Sequence, residues 1–167
     1  AQALKTLFES LIAEHKTAPS PDGLGYLFDG EVIVEPADTY YAITLPHIKI
    51  QYPEGDVFEI GIISINASPH DKDGQWKMTM ATPSPMIMFD KDRNHIIRVN
   101  IGSQQAVGIW DEALKNFAKL DATYSDINIE SSDPGYTMKI GNVDIRYDLN
   151  KDESGRWSGP TYMTAKN

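Results

Sequence analysis

From Tyr26 onward the sequence alternates between apolar and polar residues with a period of two, and this pattern constrains the fold more than any other feature. Successive side chains of a strand point to opposite faces, so such alternation is typical of a strand with one dry face and one wetter face. The connections between the alternating segments are short, which favours an antiparallel meander over crossover units. The apolar positions that define these segments are Val32 and Val34; Ile48 and Ile50; Trp76, Met78 and Met80; Ile97, Val99 and Ile101; and Ile127 and Ile129.

Two segments depart from this pattern and are predicted as helices. Residues 1–16 form an amphipathic helix, which the two prolines and the glycine of residues 17–23 end. Asp111 can cap a second, short helix over Glu112–Leu120. The fold class is therefore α+β: a curved, mostly antiparallel β-meander with an N-terminal amphipathic helix and a second short helix. The residues expected on the sheet sides of the two helices are Leu4, Leu7, Phe8, Leu11 and Ile12, and Leu114, Phe117 and Ala118.

The sequence also matches itself at an offset of about 80 residues. Gly55–Ile65 aligns without gaps to Gly135–Ile145, and the pair Ile60-Gly61 recurs as Ile140-Gly141. We predict a partial internal duplication within a single β-rich domain, 1–167, whose repeat-like halves lie at about 40–119 and 120–167. The second copy is truncated, which predicts that the chain is a piece of a longer protein. The alternative is convergence, because hairpins draw on the same turn and strand residues.

The composition narrows the function classes. The 167 residues carry 15 Lys+Arg against 24 Asp+Glu, a net charge of −9, and no basic cluster, so a nucleic-acid partner is not expected. The sequence has no transmembrane segment, since no apolar run reaches the roughly 18 to 20 residues that cross a bilayer. There are no cysteines, which excludes disulfides, thiolate metal sites and cysteine nucleophiles.

Several polar motifs resemble chemical sites only superficially. Asp148–Ser154 places oxygen side chains as a calcium loop does, but Glu153 and Gly159 stand where an EF-hand needs Gly and Glu, so a solvated hairpin turn is predicted. Ser68, His70 and Asp71 are too close in sequence for the geometry of a hydrolytic triad. We therefore predict no catalytic residue, no metal site, no cofactor and no enzymatic activity. Other groups interpreted in the same way are Asp71/Asp73, Asp90/Asp92 and the scattered His15, His47, His70 and His95.

The segment from residue 76 to residue 89 is unusually rich in methionine. Methionine is flexible and polarizable, and it suits surfaces that accommodate irregular apolar partners. One interpretation is a groove for an apolar ligand or partner, and the other is ordinary core beneath a twisted sheet. The candidate ligand-binding residues are Trp76, Met78, Met80, Met86, Met88 and Phe89.

The chain resembles two groups of bacterial envelope proteins. The resemblance depends on the motifs Leu45-Pro46, Ile60-Gly61 and Asp73-Gly74-Gln75-Trp76. Together with their partial copies, these motifs cover most of residues 40–160. The tandem β-hairpins are similar to AsmA-like envelope proteins, and the leading helix before a curved meander is similar to LolA-like lipoprotein carriers. The resemblance implies an exported, periplasmic protein with an apolar groove for lipid, and it carries over no functional residue.

The sequence therefore supports two functions. The first is a non-enzymatic envelope protein that binds or handles a lipid or another apolar ligand in a β-sheet groove. The second is a structural β-repeat module that presents an edge strand to an envelope protein partner and has no small-molecule ligand.

Overall fold

The computed structural model describes residues 1–18, 20, 23–133 and 135–167. The described residues form one helix and fourteen strands, nearly all of them in a single antiparallel sheet. The helix is α1 (Gln2–His15). The strands are β1 (Gly25–Asp29), β2 (Ile33–Pro36), β3 (Tyr41–Thr44), β4 (His47–Gln51), β5 (Val57–Gly61), β6 (Ser64–Pro69), β7 (Gln75–Ala81), β8 (Met86–Phe89), β9 (Ile96–Asp111), β10 (Asn116–Ser131), β11 (Thr137–Asp148), β12 (Asn150–Lys151), β13 (Trp157–Ser158) and β14 (Thr161–Lys166).

The sheet is a simple meander once interrupted strands are joined. The pairs β1/β2, β3/β4, β5/β6 and β7/β8 each act as one long strand that is broken near its middle, and β9, β10 and β11 are long strands without a break. Each long strand pairs antiparallel with the next, and β14 pairs with the second half of β11. The predicted open, curved, mostly antiparallel meander is confirmed.

The interruptions lie at one level and form a line across the sheet, which we call the kink line. Gly61, with φ +98°, lies beside Pro83 of the neighbouring long strand, and Gly30, with φ +107°, lies beside Pro46. In the unbroken strands the same level is marked by Asp126, which has a φ of 53° and faces Gly102. The full line, in order across the sheet, is Gly30, Pro46, Gly61, Pro83, Gly102, Asp126, Gly141 and Asn167.

The kink line divides the sheet into two halves. The helix half contains β2, β3, β6, β7, β14 and residues 103–111, 116–125 and 142–148. The open half contains β1, β4, β5, β8 and residues 96–101, 127–131 and 137–140. Along β9 the residues on the apolar face have odd numbers before the kink line, as at Ile101, and even numbers after it, as at Ala106. The residues on the apolar face switch between odd and even numbers in the same way in β10 and β11. The kink therefore keeps the apolar side chains of both halves on one face of the sheet.

Helix α1 packs on the apolar face of the helix half. Its Leu4 and Phe8 are buried against Ile43, Met78 and Trp110, and the predicted apolar stripe of the helix contacts this cluster along its length. Among the described residues, every buried apolar side chain lies in α1, in the β1–β2 connection, in the helix half or, in the case of Pro46, on the kink line. The predicted helix over residues 1–16 is confirmed, and it ends at His15. Of the residues expected to end it, Pro19, Pro21 and Asp22 lie outside the described residues.

The second helix predicted over Glu112–Leu120 is wrong. Asp111 does accept hydrogen bonds from the backbone N–H groups of Ala113 and Leu114 (2.9 and 3.0 Å), as a helix cap would. Those bonds close a hairpin turn instead, and β10 begins at Asn116, because a 16-residue strand pairs along the whole of β9. This non-local pairing overrides a helix-like spacing of three apolar residues.

The two segments of the predicted duplication have related local structures. Ile50 pairs with Phe58 in the first hairpin, and the aligned Ile129 pairs with Met138 in the second. Gly61 ends β5 at a bulged kink, whereas Gly141 continues within β11. Both glycines lie on the kink line, which gives a physical reason for the recurring Ile-Gly pair. Their origin by duplication stays a prediction.

Candidate functional site

A row of apolar side chains crosses the open half from its outer edge to β9. The strand register pairs Tyr26 with Ile50, Ile50 with Phe58, Phe58 with Met88, and Met88 with Ile97. Residues directly opposite each other on neighbouring strands share a face of the sheet. At the usual strand spacing the row is about 19 Å long. All five side chains are partly exposed, with Tyr26 at 37%.

A second row runs parallel to the first and reaches the opposite edge. Met86 pairs with Val99, Val99 with Ile129, and Ile129 with Met138, which is 41% exposed. The two rows together make a continuous apolar surface, which we call the open face. Helix α1 packs on the other half of the sheet and leaves the open face uncovered.

A shallow groove of about 230 Å³ joins the open face to the helix half across the kink line. Its walls are almost entirely apolar, so it offers contacts to a hydrocarbon and few to a polar ligand. Residues from both sides of the line contribute to it: Met86, Val99, Ile101 and Ile127 from the open half, Tyr124 and Val143 from the helix half, and Thr82 between them.

A second groove, of about 440 Å³, lies where the end of α1 approaches the open half. Ile12 of the helix, Phe28 of β1 and Pro46 on the kink line form its apolar part. Charged side chains surround this apolar part, among them Lys5, Glu9, Lys16 and Glu31. The groove therefore has apolar walls and a polar rim beside the open face.

The reverse side of the open half mixes charged and apolar residues. Lys49 and Glu59 form an ion pair across β4 and β5 with an N–O distance of 3.6 Å. The next position in this row is Ile87, which lies opposite Arg98. The reverse side therefore carries charged residues that the two rows of the open face lack, and neither side is covered by another described element.

Titratable groups follow the same division. Tyr147 lies on the apolar face of the helix half, where burial raises the pKa of its phenol above the ordinary value. Asp144 lies on the polar face, where hydrogen bonds from Thr123 (2.9 Å) and Asn142 (2.7 Å) hold the pKa of its carboxyl below the usual range.

The structure separates the six predicted ligand-binding residues into three groups. Met78 is fully buried in the core beneath α1, as the core interpretation expected. Trp76 and Met80 pack against the same core, and Trp76 also stacks edge-on with Tyr41 and donates a hydrogen bond to Glu112 Oε1 (2.9 Å).

The remaining three residues lie in β8 of the open half. Met86 and Met88 belong to the open face, whereas Phe89 points to the reverse side, where the guanidinium of Arg93 lies 4.8 Å from its ring centroid. Only two of the six therefore reach the uncovered apolar surface. The sequence interpretation missed the other members of that surface, although their alternation was visible: Tyr26, Ile50, Phe58, Ile97, Val99, Ile129 and Met138.

The polar motifs form local hydrogen bonds to backbone N–H groups in turns. Asp152 Oδ1 accepts a hydrogen bond from the backbone N–H of Arg156 (2.9 Å), which closes the turn between β12 and β13 as predicted for this acidic segment. His70 Nδ1 accepts a hydrogen bond from the N–H of Asp71 (2.7 Å). Within the described part of the chain, no group of three His, Asp or Glu side chains is placed to hold a metal ion.

Two further findings bear on the classification of the chain. No helix formed by residues 1–18, 20, 23–133 and 135–167 is long and apolar enough to cross a membrane. Comparison of the chain with protein-family models, with curated proteins and with solved structures gave no match.

Proposed function

We propose that the protein is a non-enzymatic lipid-binding or lipid-handling module whose ligand lies on the open face. The observation that carries the proposal is the continuous, uncovered apolar surface formed by the two rows. Contiguous apolar surfaces of this kind mark interaction sites in proteins that are otherwise well packed. The resemblance to envelope proteins of the LolA-like and AsmA-like kind supports a periplasmic location.

A hydrocarbon chain fits the chemistry of this surface better than a polar ligand does. Flexible Met86 and Met88 lie beside Phe58 and Val99, and burial of each CH₂ group of a ligand contributes about 0.8 kcal/mol. Such binding needs no specific hydrogen bond. The net charge of −9 keeps the protein soluble and takes no part in recognition.

The proposal is tested by titration with the fluorescent fatty acid cis-parinaric acid and by mass spectrometry of lipids extracted after gentle purification. Met88→Asp and Val99→Asp each place a carboxylate on the open face and should weaken binding strongly, since a charge there opposes burial of the chain. The matched control is Ile87→Asp, on the reverse side of the same strand and opposite Arg98. Equal binding by all three variants, with circular dichroism unchanged, would refute the proposal.

A second candidate function is a protein-interaction module, and the outer edge of the sheet favours it. β14 pairs only with residues 142–147 of β11, so the edge of residues 137–141 has no strand partner among those described. Tyr136 and Met163, at 54% and 69% exposed, lie along this side. Native mass spectrometry of the gently purified protein separates the two functions, because a lipid and a protein partner add very different masses.

A further inference from the structure

A cleft of about 580 Å³, separate from the two grooves described above, lies on the helix half where three hairpins meet. It is on the polar face, the side of the sheet that α1 does not cover. Ile109, Ala118 and Leu149 contribute its apolar lining. The backbone N–H of Leu149 donates a hydrogen bond to the carbonyl of Ala118 (2.7 Å), which fixes the β12–β13 hairpin against β10. The volume falls in the range of small-molecule sites, which also combine apolar walls with a few polar groups.

The polar lining of the cleft is rich in lysine. Lys72 comes from the β6–β7 turn, Lys119 from β10 and Lys151 from β12. Lys119 Nζ forms an ion pair with Asp148 Oδ2 at 3.0 Å. Lys72 and Lys151 take part in none of the ion pairs formed within the described residues. Their ammonium groups thus remain available to a ligand.

The carboxylates of the cleft are already engaged. Asp111 Oδ2 accepts a hydrogen bond from Gln75 (2.8 Å), and its Oδ1 accepts from Ala113 and Leu114. Burial would raise the pKa of Asp111, but these hydrogen bonds, together with the nearby charge of Lys151, hold it below the usual range. With Asp148 bound to Lys119, the residues that line the cleft are three lysines and two carboxylates, which gives the lining a charge of +1 on a protein whose net charge is −9. Asp71, Asp73, Asp152 and Glu153 flank Lys72 and Lys151 in the same turns but do not line the cleft.

The cleft also offers a flat aromatic surface and a neutral donor. Trp157 lies on the rim and pairs with Lys151 across the small hairpin. Because His70 Nδ1 accepts a hydrogen bond from Asp71, the proton of the neutral ring is on Nε2, which can donate. Both turns that recur in the internal sequence match, at residues 71–76 and 151–157, contribute residues to this cleft.

We propose that this cleft binds a small organic anion that carries an apolar or aromatic ring. The ammonium groups of Lys72 and Lys151 bind the anionic group, and the ring lies against Trp157 and the Ile109–Leu149 lining. The cleft is on the opposite face from the open face, so this inference is independent of lipid binding.

The probes are benzoate and phenyl phosphate, which share a ring and differ in the anionic group, and the neutral benzyl alcohol. Each is titrated into the full, isotope-labelled chain, and amide shifts are followed by NMR. We expect both anions to give saturable shifts of cleft residues, with benzyl alcohol binding at least about fivefold more weakly, since each ammonium–anion contact contributes up to about 1 kcal/mol at an exposed site.

The double variant Lys72→Gln/Lys151→Gln should weaken anion binding by about fivefold or more. Its control is Lys91→Gln/Lys166→Gln, which removes the same charge from exposed positions outside the cleft. Equal affinity of the two double variants, equal affinity for benzyl alcohol, or no saturable shift would each overturn the proposal. Parinaric acid binding by the cleft variant should stay unchanged, so failure here is distinguishable from failure of the proposed function.

Discussion

Gly61 and Pro83 touch across the kink line so closely that a Cβ atom on Gly61 would lie 3.0 Å from Pro83 Cγ. The φ of Gly61 is +98°, a value that side chains with a Cβ rarely adopt. The glycine therefore meets two requirements at once, a left-handed backbone and a close approach between neighbouring long strands.

Gly61→Ala should lower the free energy of unfolding by about 2–4 kcal/mol, the sum of a backbone penalty and a steric one. Gly135→Ala is the matched control, because Gly135 has a φ of +87° but, among the described residues other than its chain neighbours, no atom lies within 4 Å of its Cβ position. The Gly135→Ala variant should lose only the backbone contribution to the free energy of unfolding, about 1–2 kcal/mol. Urea denaturation of both variants measures the difference, and equal losses would show that the contact with Pro83 contributes nothing.

Gly108→Ala should destabilise the sheet by about 1–3 kcal/mol, because the added Cβ would lie 2.5 Å from Phe117 Cδ1 and 2.8 Å from the carbonyl oxygen of Lys119. Phe117 packs edge-on against Trp110, with ring centroids 5.2 Å apart. The double variant Gly108→Ala/Phe117→Leu should lose less than the sum of the single losses, since the smaller side chain makes room. Additive losses would mean that the ring is not the obstacle.

The sequence predicted the elements of the sheet better than the arrangement of its faces. Alternation located the strands at Ile48, Met78, Val99 and Ile127, and the apolar stripe of α1 located the helix, because both signals are local. The second helix failed because its three apolar residues belong to a strand that is specified by pairing with β9, a non-local interaction.

The candidate site was only partly predictable for a related reason. Met78 and Met88 belong to the same methionine-rich segment, yet one lies beneath α1 and the other on the open face. The difference depends on which side of the kink line each residue lies and on where the helix packs. Pairing between neighbouring long strands, such as the two hydrogen bonds between Gln104 and Thr82 beside the kink line (2.8 and 2.6 Å), is invisible to local patterns.

Met78→Ala should therefore act mainly on stability, and Met88→Ala should act mainly on binding. Met78→Ala creates a cavity in the core and should cost about 2–5 kcal/mol of stability, with little effect on the parinaric acid affinity of the folded protein. Met88→Ala should cost about 1 kcal/mol of stability, because its side chain is only partly buried, and should weaken binding. Thermal denaturation and fluorescence titration measure the two effects, and a reversed order in either would contradict the assignment of Met88 to the open face.

The ion pair between Glu14 of α1 and Lys115 of the β9–β10 turn, at 2.6 Å, should make the attachment of the helix depend on pH. The hydrogen bond from Lys115, and then its charge, lower the pKa of Glu14 below its usual value. A group with a lowered pKa in the folded state stabilises the protein above its unfolded pKa, and that contribution is lost as the pH falls through the folded pKa.

Lys115→Met should therefore be less stable than the parent protein at neutral pH, and the difference should vanish at about pH 3 and shrink in high salt. Urea denaturation at both pH values measures this, with Glu14→Gln/Lys115→Met as the control that lacks both partners. A difference that persists at low pH would assign the effect of Lys115 to packing.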